Sequence, residues 1–175
     1  MKNLNAIVKG KQIPNGEIKI SGAKNSATRI LAAALISDEE VTLKNFPTEL
    51  VDVRHKINFI THCGGKVHVN SESEEIHVIS DKMKDKVLDN YNYPIRTTYL
   101  LVAGLIKKNQ TAKIPYPGGC KIGNRGYDLH MMVWEKLGAT VSERSNYIEV
   151  ITENGFVGST IDFPISTIGG TENAL

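Results

Sequence analysis

The chain has 175 residues, 41% of them hydrophobic and 23% charged, and a formal net charge of +2. That length holds one domain with a real core, the composition is ordinary for a globular protein, and so small a charge, with no Lys/Arg run, gives no ground for nucleic-acid binding. No apolar stretch approaches the roughly 20 residues that span a bilayer, the two cysteines show neither disulfide-framework nor metal-ligand spacing, and the start MKNLNAIVKGKQ lacks the apolar core of a secretory leader, so the expectation is a cytoplasmic protein with reduced thiols and no membrane partner.

In chain order, alternation predicts strands over 5–9 and 17–21, where Ile18 and Ile20 alternate with polar residues. A helix starts near Lys24, with Ile30, Leu31, Ala34 and Leu35 at helical spacing. Its first turn carries Lys24 and Asn25. A lysine there opposes the helix macrodipole, which leaves two readings: a ligand-binding ammonium or a solvated side chain. A strand over 41–43 follows, then a helix over 51–63, the small pair Gly64 and Gly65 leading into a strand, and another strand over 75–79. Cys63, at the helix end, reads as a small core residue. His55, His62, His68 and His77 have no ligand spacing, and 82–86 reads as a solvated turn. A further helix starts near Pro94 and places Arg96 in its first turn. A strand over 111–114 precedes the loop Pro117-Gly-Gly-Cys-Lys-Ile-Gly-Asn-Arg-Gly-Tyr-Asp-Leu-His130. The helical pattern over 127–137 puts His130 in a first turn and assigns Met131 and Trp134 to packing. Gly138 and Ala139 lead into a strand, and a last strand covers 147–151.

These elements repeat. Leu35 and Leu105, and Pro47 and Pro117, are each 70 residues apart, and each copy runs helix, strand, helix, strand, strand. Units of this kind bury their apolar faces on one another. Gly170-Thr-Glu-Asn-Ala-Leu175 resembles Gly22-Ala-Lys-Asn-Ser-Ala27, so a third copy is expected to begin there, and the chain is expected to be the N-terminal part of something longer.

The glycine-rich loop carries the chemistry. Nearby cations or a helix N-terminus lower a cysteine's pKa, and only the thiolate is strongly nucleophilic. Cys120 lies between Gly119 and Lys121, with Arg125 close by and a helix following. The loop reads as a reactive thiol beside an anion site, or as a cysteine in an ordinary surface turn. Cations at three helix starts, Lys24, Arg96 and Arg125, suit phosphates and carboxylates if pseudo-symmetry brings them together.

Ser21-Gly-Ala-Lys-Asn25, the apolar run from Ile30, Arg96, Pro117-Gly-Gly-Cys120, Gly123, Arg125 and Asp128-Leu-His130 together resemble the UDP-N-acetylglucosamine enolpyruvyl transferases. The resemblance runs along the whole chain. It implies an α/β (α+β) fold, an inside-out α/β barrel of repeated helix–strand–helix–strand–strand units, with parallel and antiparallel strands and the helices inside. It implies that residues 1–21 supply a first strand to a partner domain, and that 22–175 form most of the cysteine-bearing domain, cut at its third repeat. The implied reaction joins the sugar 3-hydroxyl to carbon 2 of phosphoenolpyruvate, protonates carbon 3 and releases phosphate, with no cofactor and no metal. In it Cys120 is the proton donor and the target of fosfomycin, a phosphoenolpyruvate mimic. Lys24, Asn25 and Arg125 contact phosphoenolpyruvate. Arg96, Arg125, Gly126, Tyr127, Asp128 and Leu129, with Ser166, Thr167 and Ile168, contact the UDP-sugar. The family's Arg-Pro-Val-Asp-Leu is Arg125-Gly-Tyr-Asp-Leu129 here, and Lys121 and Asn124 replace smaller residues. Gly126 loosens a turn that proline would fix, and Tyr127 adds bulk near the acceptor. A paralogue with another nucleotide acceptor, or a truncated non-catalytic nucleotide-sugar-binding module, are the alternatives.

Overall fold

The computed structural model describes residues 5–87, 97–116 and 126–175. It contains five α-helices among the described residues: α1 (Lys24–Ala33), α2 (Val51–His62), α3 (Val102–Asn109), α4 (Asp128–Lys136) and α5 (Ile168–Ala174). Six strands accompany them: β1 (Val41–Leu43), β2 (Lys66–Asn70), β3 (Glu75–Ile79), β4 (Thr111–Pro115), β5 (Thr140–Glu143) and β6 (Tyr147–Ile151). They form two three-stranded sheets, ordered β1-β3-β2 and β4-β6-β5. The two sheets repeat one topology, as the 70-residue offset requires. Every strand pair among the described residues is antiparallel; the parallel pairing that the resemblance implied is not formed within them.

Each sheet has a wet and a dry face, the period-2 alternation of a half-buried antiparallel sheet. In β3, Ile76 and Val78 are buried while Glu75, His77 and Ile79 are only partly so; in β6, Ile148 and Val150 are buried. The helices cover the dry faces. In α1 the buried residues Ala27, Thr28, Leu31 and Ala32, continued by Leu35 in the following 3₁₀ turn, mark one stripe at i, i+3, i+4 spacing. A single apolar cluster runs through both units, with Trp134, Phe59, Leu31 and Leu105 at its centre. Gly64 and Gly138 occupy equivalent places after α2 and α4, with φ of 92° and 89°. This left-handed conformation closes a helix C-terminus and is costly for any residue with a Cβ. The small pairs noted in the sequence are therefore helix stops.

Two expectations need correction. The strands over 5–9 and 17–21 are not formed, and Ile7, Val8, Ile13, Ile18 and Ile20 are all at least 83% exposed. A strand is held by hydrogen bonds to a neighbour, and among the described residues this segment pairs with no strand of either sheet. Nor is 82–86 a solvated turn. Met83 is buried, and Asp85 accepts from Thr111 Oγ1 at 2.8 Å and from the Lys113 backbone N–H at 2.7 Å. Asp85 satisfies the free edge of β4 and so ties the first unit to the second.

Candidate functional site at the helix N-termini

α1 begins at Lys24. Its N-cap is Ala23, which offers no side-chain oxygen, and the first turn holds no acidic residue. The first N–H groups of a helix lack intrahelical partners and carry the positive end of the dipole. Here they stand with an added ammonium and no internal counter-charge. Lys24, Asn25 and Ser26 are exposed, while Ala27 and Thr28 turn into the core. Gly22 fixes how the chain reaches this turn: a Cβ there would lie 2.4 Å from Asn45 O and 2.8 Å from the Pro47 ring. A cleft of about 300 Å³ opens beside it, between Gly22, Ala23, Ser26 and the 42–47 segment.

A second group of candidates assembles at the starts of α4 and α5. Tyr127 is the N-cap of α4, and Asp128 opens its first turn, where a carboxylate favours the dipole. Gly126 and Asp128 are exposed, Tyr127 and Leu129 partly buried. A Cβ on Gly126 would lie 2.5 Å from Asp128 Oδ2, so any larger residue must push that carboxylate aside. The Tyr127 ring does not stand free as bulk; it leans on Tyr116, centroids 6.0 Å apart, and packs on the core. Thr167 caps α5, accepting the Gly170 N–H at 3.1 Å on Oγ1. Ser166 and Ile168 on either side are exposed.

The residue behind each start binds these segments together. His130, buried in the first turn of α4, stacks on Tyr99 with ring centroids 3.7 Å apart. A Cβ on Gly169 would meet Tyr99 Oη at 3.2 Å and His130 Cε1 at 3.3 Å, so glycine lets α5 approach the stack. Segments 126–129 and 166–168 therefore share one end of the molecule. Lys24 and Asn25 sit on α1, which meets α5 through an ion pair, Arg29 Nε to Glu172 Oε1 at 2.5 Å. Cys120, Arg96, Arg125, Lys121 and Asn124 lie outside the described residues.

Two charged groups near this region escaped the sequence reading. Lys56 on α2 is fully buried and donates to Thr28 O at 2.6 Å. Burial, reinforced by the nearby Arg29 charge, pushes its ammonium down to about 7. Arg29 was passed over because it lies off the apolar stripe of α1. Cys63 is fully buried, and desolvation pushes its thiol up to about 11. Among the described residues no group of three or more His, Cys, Asp or Glu side chains could hold a metal, and no helix is long and apolar enough to cross a membrane.

The sequence matches the family model for EPSP synthase (3-phosphoshikimate 1-carboxyvinyltransferase) over residues 8–175. Among curated proteins it is 34% identical over 171 residues to a UDP-N-acetylglucosamine 1-carboxyvinyltransferase of Sulfurovum sp., spanning 96% of this chain and 39% of that protein. It is 36% identical over 179 residues to the one of Beijerinckia indica, spanning 97% of this chain and 41% of the relative. The chain thus spans about two fifths of the length of these relatives. Among solved structures, the enolpyruvyl transferase NikO from Streptomyces tendae superposes with a TM-score of 0.61 over 79% of this chain and 30% of NikO. At 18% identity that likeness speaks to the fold, which it shares. The chain belongs to the EPSP synthase family of enolpyruvyl transferases.

Proposed function

We propose that this chain is the cysteine-bearing portion of a UDP-N-acetylglucosamine 1-carboxyvinyltransferase, acting in the cytoplasm at the first committed step of peptidoglycan synthesis. The observation that carries the reading is the first turn of α1, exposed, uncapped and free of acid, with Lys24 and Asn25 at its start. Such a turn suits the phosphate and carboxylate of phosphoenolpyruvate. In this reading Lys24 and Asn25, with Arg125, hold phosphoenolpyruvate, and Arg96, residues 125–129 and residues 166–168 hold the UDP-sugar. Cys120 donates the proton to carbon 3 as the sugar hydroxyl adds to carbon 2; a thiol serves as a general acid when its pKa lies near the working pH. Phosphate leaves in the second step. Residues 1–21 pair with a second domain, and 22–175 form the first wall of the cleft.

Two outcomes test this. Phosphate release from phosphoenolpyruvate and UDP-N-acetylglucosamine is expected from the full-length protein. The 175-residue chain alone is expected to turn over at least about 1,000-fold more slowly, because one wall of a cleft cannot orient two substrates and shield them. Turnover by the isolated chain at the full-length rate refutes the division into two walls; no phosphate release from the full-length protein refutes the activity.

Lys24→Ala separates binding from folding. Its ammonium gains nothing from the dipole, so its loss is expected to change stability by no more than about 0.5 kcal/mol. Losing a charge-assisted contact to phosphate costs roughly 1.5–3 kcal/mol, or about 10- to 150-fold in kcat/KM for phosphoenolpyruvate. Melting temperature and kinetics of the same variant decide it. A large drop in the melt with unchanged kinetics makes Lys24 structural.

A further inference from the structure

The backbone carbonyl of Asn25 is held from two directions. Thr28 Oγ1 donates to Asn25 O at 3.1 Å, and Arg29 Nη1 donates to the same oxygen at 2.9 Å. The other arm of that guanidinium, Nε, reaches Glu172 Oε1 on α5 at 2.5 Å. One planar side chain therefore grips the first turn of α1 and fastens it to a helix 143 residues later. Both partners are largely withdrawn from water, the Arg29 side chain 29% and the Glu172 side chain 23% exposed. Glu172 Oε2 is buried and makes no hydrogen bond among the described residues. Stability alone gives little reason for such an arrangement. A desolvated ion pair with an unsatisfied oxygen is often matched or bettered by apolar residues of the same volume. What an apolar pair would lack is the directional hold on Asn25 O.

We propose that Arg29 is a positioning residue: it sets the backbone of the Lys24–Asn25 turn by gripping Asn25 O while Glu172 anchors its guanidinium to α5. This rests on the reading of Lys24 and Asn25 as phosphoenolpyruvate ligands. The consequence is specific to arginine. A planar fork makes both bonds at once, whereas a lysine ammonium on a flexible stem keeps the ion pair and gives up the grip on Asn25 O.

The test uses the whole chain as wild type, Arg29→Lys and Arg29→Ala, each without ligand and with phosphoenolpyruvate. Three quantities are read: melting temperature, amide exchange of Ala27, whose N–H closes the first turn on Ala23 O at 2.9 Å, and the dissociation constant for phosphoenolpyruvate by calorimetry. Arg29→Lys is expected to keep the melting temperature within about 2 °C, to speed exchange at Ala27 about tenfold, and to weaken phosphoenolpyruvate binding about tenfold. Arg29→Ala is expected to lose the melting temperature as well. If Arg29→Lys restores affinity together with stability, the arginine is only a tether and the proposal fails. Unchanged exchange at Ala27 in Arg29→Lys also overturns it. Failure of the wild type itself to bind phosphoenolpyruvate, with the Ala27 exchange responding as expected, overturns instead the reading of Lys24 and Asn25 as ligands.

Discussion

Lys56→Met is expected to raise stability by roughly 2–4 kcal/mol at pH 6, with the gain shrinking as the pH approaches 10. Lys56 is fully buried against the α1 backbone and donates to Thr28 O at 2.6 Å. Desolvation pushes its pKa from 10.5 down to about 7; Arg29 adds to this, while Asp52 and Glu172 oppose it. The sign follows from proton counting. Between pH 7 and 10.5 the unfolded chain binds a proton at Lys56 that the folded chain does not, so stability rises with pH across that window. Below pH 7 both states are charged, and the full cost of burying the ammonium is felt. Methionine has a similar unbranched shape and no charge to desolvate. It forfeits one hydrogen bond worth about 1 kcal/mol, which is why the gain is smaller than the whole shift. Urea midpoints at pH 6 and pH 9, with unchanged m-values, measure it. A variant less stable than the wild type at pH 6 means that Asp52 and Glu172 offset the cost of burying the ammonium.

Of the two cysteines of this chain, fosfomycin is expected to modify one completely in the full-length protein and leave the other untouched. Cys63 caps α2, is fully buried and has its thiol pushed up to about 11 by desolvation. At neutral pH its thiolate fraction is on the order of one in ten thousand, and the reagent cannot reach it. In the sequence Cys120 stands in a glycine-rich stretch between Gly119 and Lys121, five residues before Arg125. We expect the cations near it in sequence to favour its thiolate. Peptide analysis should find an adduct on Cys120 and none on Cys63, and Cys120→Ala should abolish both that adduct and phosphate release. An adduct on Cys63 in the folded protein would contradict the assignment of the reactive thiol.

Much of this architecture could be read in the sequence because its periodicities are local. β3 and β6 fall on the residues that alternation picked out, and α2 and α4 end within a residue of their predicted stops because Gly64 and Gly138 enforce those stops. What could not be read depends on distant partners. The segment before Ser21 has strand alternation, but alternation does not supply an edge to pair with. Lys56 sits on the same stripe as Val53, Ile60 and Cys63, and its position there was a legible signal; its burial is set by α1, twenty-odd residues away in sequence, as the bond to Thr28 at a separation of 28 shows. Asp85 looked like part of a solvated turn because its partners, Thr111 and Lys113, belong to the next unit. Of the candidate site, the Lys24–Asn25 turn and the 126–129 segment were legible as helix starts, whereas 166–168 entered only through the family resemblance. The stack of Tyr99 on His130 that gathers the last two was not, since nothing in the spacing of 99, 130 and 169 marks them as neighbours.

The twofold sheet pattern bears on how the chain folds. β1, β2 and β3 all come from residues 41–79, and β4, β5 and β6 from residues 111–151. In each sheet one pairing is a hairpin and the other, Leu43 with Ile76 or Pro115 with Tyr147, spans a helix, so the entropic cost of closure is nearly equal in the two halves. Each half can thus nucleate from its own stretch of chain without waiting for the other. The links between halves, such as Asp85 to β4 and Lys108 Nζ donating to Ser37 O at 2.7 Å, are expected to form as the halves dock. Destabilising either link would then speed unfolding while leaving the rate of sheet formation nearly unchanged.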